Sequence, residues 1–248
     1  MPFPPRAGRN AAGSVGVSHG TDRPFRRLSS VGTREVNVTH VLVIGASKGI
    51  GLETVKAALK AGHRVRAFAR SAADIAISDP GLERFTGNAL DSGDVVAALE
   101  GIDVVVQALG VPASKLLGPV SLFSEATNRL VPAMERAGIR RIIAVTGFGT
   151  GDSRAAIGLL QRVPFRLVFG RAYDDKDAQE MRIRKSGLDW TFVRPGVLTP
   201  GAATGRYKVL ADPTSWRNGL VSRADVADFI AGEIGQPAHV RQAVVLVG

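Results

Sequence analysis

The chain has no cysteine, which excludes a disulfide framework, a thiolate nucleophile and any cysteine metal site. Histidine is nearly as scarce. His19, His40, His63 and His239 are too scattered for two of them to share a helix turn as paired zinc ligands do, and no metal is expected. There is also no run of 18 apolar residues, so no segment is expected to span a bilayer and no membrane partner is expected. Acid is the minority charge, with 22 Asp and Glu against 32 Lys and Arg, a net +10. Such a balance invites a nucleic-acid partner, but its distribution argues against one. Residues 1–36 hold Arg6, Arg9, Arg23, Arg26, Arg27 and Arg34 against Asp22 and Glu35, and the moderately basic remainder suits an anionic ligand or simple solubility as well as a polymer. Hydrophobic residues make up 45% of 248, ample for a buried core in one large domain or two small ones.

From Met1 to about Glu35 the sequence is rich in Gly, Ser, Arg and Pro and has no apolar periodicity. Its Arg and Ser content loosely resembles an organelle transit peptide. It reads as a disordered, solvated basic tail over residues 1–36. From residue 37 to 248 short β-branched runs alternate with helix-like segments, with no repeat or linker dividing them. Val41-Leu42-Val43-Ile44 is too short for a helix and is followed at once by Gly45, the pattern of a strand buried on both faces. Leu52, Val55 and Leu59 then recur at helical spacing, with Gly62 where a helix would stop. Further strands are expected at Arg64–Ala69, Arg84–Gly87, Ile102–Gln107, Arg141–Thr146 and Trp190–Val193, with helices near 94–100, 120–137 and 174–186. Strands separated by helices cannot form hairpins, so the spacing predicts a single α/β domain with a doubly wound, mostly parallel sheet, a Rossmann fold.

Gly45-Ala46-Ser47-Lys48-Gly49-Ile50-Gly51 joins the first strand to the first helix, the context in which a glycine loop binds a dinucleotide. Glycines let the backbone turn and approach a diphosphate, whose charge meets unpaired N–H groups at the helix start. A mononucleotide P-loop is excluded, because no Gly-Lys-Ser/Thr closes the loop. Between Glu53 and Asp74 there is no acidic residue, whereas a carboxylate after the second strand would select the unphosphorylated ribose. The strand ends instead in Arg70-Ser71, with Lys48 in the loop below. Two cations and a hydroxyl favour a 2′-phosphate, and the expected cofactor is NADP(H).

The glycine loop, Val104-Val105-Val106-Gln107-Ala108-Leu109-Gly110, and Ser186-Gly187-Leu188-Asp189-Trp190-Thr191-Phe192-Val193-Arg194-Pro195-Gly196 together resemble the short-chain dehydrogenase/reductase superfamily. The likeness runs from about residue 39 to 246. It is strongest to the atypical NAD(P)H-binding branch that includes biliverdin reductase B (flavin reductase) and NmrA-like proteins. By that resemblance Asn88-Ala89 would border the adenine, Ala108-Leu109-Gly110 the cofactor ribose, and Pro195-Gly196-Val197 the nicotinamide carboxamide through backbone groups. The resemblance also implies a lysine about eighteen residues before the Arg-Pro pair, which selects Lys176. The superfamily's tyrosine would then stand at 172, which is Ala172; Tyr173 is one residue off register, about 100° around a helix axis. Its role stays open between proton donor and packing tyrosine. The expected serine position falls on Gly147, leaving Thr146 as the neighbouring hydroxyl.

With Lys176, Tyr173 and Thr146 as candidate catalytic residues, two functions are carried forward. One is an NADPH-dependent oxidoreductase of a small conjugated acceptor such as a flavin, quinone or carbonyl, in which hydride delivery needs mainly positioning and exclusion of water. The other is a non-catalytic NADP(H)-binding redox sensor of the NmrA type. Gly151–Arg171, with Arg154, Arg162, Arg166, Arg171, Phe165 and Phe169, reads as a loop forming either the acceptor pocket or an interaction surface, and the C-terminal part as a small substrate region. A cytoplasmic monomer or homodimer is expected.

Overall fold

The computed structural model describes residues 38–112 and 118–248, and the side chains of all of these except 159–169. The expected basic tail therefore lies outside the described residues. Strand β1 (His40–Ile44) sets the architecture. Val41 and Val43 enter one apolar layer, Leu42 and Ile44 the other, and all four are buried. A strand apolar on both faces has to lie between two helical layers. Strand β5 (Arg141–Val145) repeats the alternation, with Ile143 and Val145 in the first layer and Ile142 and Ala144 in the second.

Parallel neighbours flank β1: β2 (Arg64–Ala69), with Val41 beside Val65, and β4 (Val104–Gln107), with Val41 beside Val104. With β3 (Leu82–Thr86), β6 (Asp189–Pro195), β8 (Lys208–Leu210) and β10 (Gln242–Val247), the sheet order is β3-β2-β1-β4-β5-β6-β10-β8. Every pair is parallel except β10 with the edge strand β8. Helices α1 (Gly49–Lys60) and α5 (Arg223–Gly235) cover the first layer; α2 (Ser92–Ala98), α3 (Leu122–Arg136) and α4 (Leu159–Lys185) cover the second. The chain leaves β1 in one direction and returns at β4 in the other, so a crevice opens at the carboxyl ends of these two strands, where open α/β sheets take ligands. A separate two-stranded ribbon, β7 (Val197–Thr199) with β9 (Leu220–Ser222), follows β6.

The expected Rossmann architecture is thus present, and the strand over Arg64–Ala69 has its expected bounds. The main correction concerns α4. The expected loop at 151–171 is a short 3-10 turn, Gly151–Ala156, followed by a helix that starts at Leu159 rather than near 174. Pro164 and Gly170, poor helix formers, mask that start in the sequence. Packing of the later turns against α3 and β6 supplies the stability that propensity lacks. One tie is explicit. Ser121 gives α3 no side-chain cap, and the carboxylate of Asp175 on α4 accepts instead from the N–H groups of Phe123 at 2.8 Å and Ser124 at 3.2 Å. Among the described residues no helix is long and apolar enough to cross a membrane.

Candidate functional site

The loop after β1 is built around contacts that only glycine allows. Gly45 has φ +89°, and a Cβ there would stand 2.7 Å from the carbonyl oxygen of Ala108 at the end of β4. A Cβ on Gly51 would stand 2.2 Å from the Gly45 carbonyl oxygen, so the start of α1 lies directly on the turn. Gly49 differs: its φ is +63°, but nothing lies within 4 Å of an added Cβ. The helix begins at this open point with no side-chain cap from Lys48 and no acid in its first turn. An uncapped helix start beside a cradle that a single methyl would fill suits a diphosphate, so these residues fit a dinucleotide.

Around that turn the other expected contacts are in reach of the same strand ends. The N–H groups of Gly45 and Ala46 donate to Phe68 O on β2 at 2.9 and 3.3 Å. This docks the loop beside the end of β2, where Arg70 and Ser71 are exposed. Lys48 is exposed and Ser47 half-buried. Ala108 N–H donates to Ile44 O at 2.9 Å, and Ala108 and Leu109 lead to an exposed Gly110. Asn88 follows β3 and closes a turn by accepting the Leu90 N–H at 3.1 Å; Ala89 beside it packs on the second layer.

After β6 the geometry narrows one expectation. The N–H of Gly196 donates to Leu246 O at 3.0 Å and that of Val197 to Gly219 O at 2.8 Å, while Pro195 O accepts from Phe148 N–H at 2.9 Å. Of the backbone groups expected to meet a carboxamide at Pro195-Gly196-Val197, the N–H groups of Gly196 and Val197 are therefore already used within the fold. Gly196 is glycine because its Cβ would lie 2.2 Å from Gly219 O, where the chain enters the two paired ribbon strands.

The face of α4 turned to β5 carries the chemistry. Tyr173, Lys176 and Glu180 recur at i, i+3 and i+7, one stripe along a helix. Each meets one of three consecutive residues at the end of β5. A Cβ on Gly147 would stand 2.9 Å from the Tyr173 hydroxyl; Lys176 Nζ donates to Val145 O at 3.3 Å; Thr146 Oγ1 donates to Glu180 Oε1 at 2.8 Å. Tyr173 thus stands at the expected serine position, although it is one residue off the superfamily's register. Burial pushes its phenol up to about 12. Burial also brings the Lys176 amine down to about 8, against the opposing pull of Glu180 and Asp175, and the amine sits 4.1 Å over the Phe123 ring. Thr146 is a correction to the expected site: its hydroxyl is turned into the protein and committed to Glu180.

Two residues that matter here were not singled out as functional from the sequence. Arg194 is fully buried and Glu180 is 2% exposed. Arg194 Nε and Nη2 donate to the two Glu180 oxygens at 3.0 and 2.6 Å, and Nη1 to Asp152 at 2.6 Å. Burial opposes the Arg194 charge, but these carboxylates outweigh it and hold its pKa above the ordinary value. The available signal was an arginine inside an apolar strand, which requires a buried carboxylate partner. Gly151 (φ +56°) lets the following turn approach, since a Cβ there would lie 2.7 Å from Arg194 Nη2. Of the basic residues expected to face an acceptor, Arg154 is ion-paired with Asp177 and with Asp174 at 3.2 Å, and the side chains of Arg162, Phe165, Arg166 and Phe169 lie outside the described residues.

Comparison with known proteins identifies the family and the fold. The NAD(P)H-binding family matches residues 45–237, and the chain belongs to that family. Protein TIC 62 of rice, a chloroplastic protein, is 30% identical over 215 residues, 77% of this chain; the chain spans 42% of its length. ChuY of Escherichia coli O157:H7, an anaerobilin reductase, is 31% identical with a TM-score of 0.71, covering 84% of this chain and 97% of its own. A short-chain dehydrogenase/reductase from Veillonella parvula in complex with NADP has a TM-score of 0.70 at 16% identity, over 85% of this chain and 94% of its own, and shows the shared fold. The resemblance to the atypical NAD(P)H-binding branch is borne out.

Proposed function

From membership in the NAD(P)H-binding family, we propose that the chain is an NADPH-dependent oxidoreductase of a small conjugated acceptor, a flavin, quinone or carbonyl. The observation that carries the reading is the Tyr173 hydroxyl against Gly147, with Lys176 one turn further along the same helix face. Gly45, Ser47, Lys48, Gly49, Ile50 and Gly51 would hold the diphosphate, with Asn88-Ala89 and Ala108-Leu109-Gly110 flanking the nucleoside portions. Arg70, Ser71 and Lys48 would pair with the 2′-phosphate, which makes NADPH the preferred form. When bound, the reduced nicotinamide supplies a hydride to the acceptor.

The protein's share is to orient, to shield and to hold protons. With its pKa raised to about 12, Tyr173 keeps its O–H across the neutral range and offers a hydrogen bond where negative charge develops on the acceptor. Lys176, lowered to about 8, is mainly the ammonium at neutral pH. Its positive charge steadies the same developing charge or holds a ribose hydroxyl. That contribution is present below about pH 8 and lost above it.

The reading is tested by following NADPH oxidation with FMN, with quinones and with simple carbonyls, in the wild type and in Tyr173→Phe. Turnover with a conjugated acceptor, reduced ~100-fold or more in the variant at unchanged NADPH affinity, is expected. A second reading, a nucleotide sensor, draws on Gly147 standing where the superfamily has serine and on the engagement of Thr146 with Glu180. NADPH binding without oxidation by any of these acceptors would establish it in place of the first. A cytoplasmic location and a monomeric or homodimeric state complete the proposal, to be checked by imaging a fluorescent fusion and by sedimentation.

A further inference from the structure

We infer that Glu180 and Arg194 form a positioning pair that fixes the rotation of α4, and so sets where Tyr173 and Lys176 meet the end of β5. The inference rests on the proposed reductase reading for its catalytic consequence, but not for its geometry. A helix lying on a sheet can rotate about its own axis, and one residue of phase is about 100°. The α4 stripe is held against β5 at three points. At one the Tyr173 hydroxyl lies against Gly147, and at another Lys176 donates a single 3.3 Å bond to a carbonyl.

The third contact is rigid. Glu180 receives both arms of a guanidinium at 3.0 and 2.6 Å and the Thr146 hydroxyl at 2.8 Å. Arg194 is itself fixed from several sides: its backbone belongs to β6, its guanidinium lies 5.0 Å from the Trp216 ring centre, and Asp152 takes its remaining arm at 2.6 Å. Arg184 reaches the same Glu180 oxygen from the next turn of α4 at 3.4 Å. A two-armed bond between a carboxylate and a planar guanidinium constrains angle as well as distance. The pair therefore connects the strand next to β5 with the helix that crosses over both. Glu180 lies four residues beyond Lys176 and seven beyond Tyr173, so any rotation that displaces those two must first break it. This accounts for a tyrosine that serves three residues before its lysine: phase is set from Glu180, not from where the helix begins.

The test uses the full chain containing 3-fluorotyrosine. Only Tyr173 and Tyr207 are present, so fluorine NMR gives two resonances, assigned with Tyr207→Phe. Glu180→Gln and Arg194→Met are expected to displace the Tyr173 resonance and leave that of Tyr207 in place. They should lower kcat ~10- to 100-fold, the scale of a misplacement near 1 Å, with NADPH affinity and acceptor KM little changed. Because one buried charge left alone can unfold a protein, the apolar pair Glu180→Met/Arg194→Met serves as the folded counterpart, with the same displacement expected. An unmoved Tyr173 resonance in the folded variants, or kcat equal to wild type, overturns the inference. If the wild type binds NADPH and reduces no acceptor, the reductase reading fails, and the Tyr173 resonance still decides whether the pair positions the helix.

Discussion

Lys176 should make the protein less stable at neutral pH than a methionine in its place. The side chain is partly exposed, but burial is the largest influence on its amine and takes it from the ordinary 10.5 to about 8. The folded state therefore releases its proton more readily than the unfolded chain. Below pH 8 both states are protonated and folding carries the full cost of burying the charge. Between 8 and 10.5 the unfolded chain binds more protons, so stability rises with pH, and above 10.5 the cost is gone. At about 1.4 kcal/mol per pH unit, the gap is worth about 3 kcal/mol. Lys176→Met forfeits the cation–π contact with Phe123 but replaces it with a sulfur–aromatic contact of similar size, about 1 kcal/mol each. The variant should gain about 3 kcal/mol at pH 7, or about 5–10 °C in Tm, and lose the activity limb near pH 8. Urea unfolding of both proteins at pH 7, 9 and 10.5 measures this. A variant no more stable than wild type at pH 7, or an advantage that does not shrink towards pH 10.5, would refute the buried-amine argument.

Two glycine substitutions should separate folding from ligand binding. Gly51→Ala drives a methyl into the Gly45 carbonyl at 2.2 Å and should cost about 1–3 kcal/mol by overpacking, read by thermal unfolding. Gly49→Ala meets no atom but must hold a left-handed conformation, costing about 1–2 kcal/mol; its larger effect should be loss of NADPH affinity by titration calorimetry, since the methyl enters the cradle. Arg70→Ala should weaken NADPH by about 1.5–3 kcal/mol, the range for a charged hydrogen bond, and leave NADH unchanged; equal loss for both would count against a 2′-phosphate contact. Burial opposes the Asp225 charge, but bonds from Ser222, Gly205 and Thr204 outweigh it and hold the carboxyl below its ordinary range. Its contribution is present above the unfolded carboxylate pKa and lost as pH falls through the folded one, so Asp225→Ala should cost about 1–3 kcal/mol at pH 7 and less in acid.

Strands β1 to β6 and the glycine turn were legible, unlike β8 and β10, because each rests on a local cause. Arg64–Ala69 is a short run with Val65, Ala67 and Phe68 buried, between a glycine-marked turn and a polar stretch, and its bounds match. Gly45 and Gly51 announce close contacts in the sequence because no other residue fits them. The start of α4 was hidden, since Pro164 and Gly170 speak against a helix that packing on α3 and β6 sustains. The β7–β9 ribbon was hidden too: strands of three residues carry too little periodicity to read.

What the sequence alone determined is the part governed by neighbours along the chain: two-faced strands, crossover helices, and a turn whose glycines admit an anion. What only tertiary structure decided is which side chains converge. Tyr173, one residue away from the family position, still reaches Gly147, and Thr146, next to the expected serine position, turns away to Glu180. Both outcomes follow from the rotation of one helix, which is held through bonds between residues as far apart as Asp152, Glu180 and Arg194. Helical periodicity gives the spacing of a stripe but not the direction it faces; that is fixed by the buried charge it has to meet.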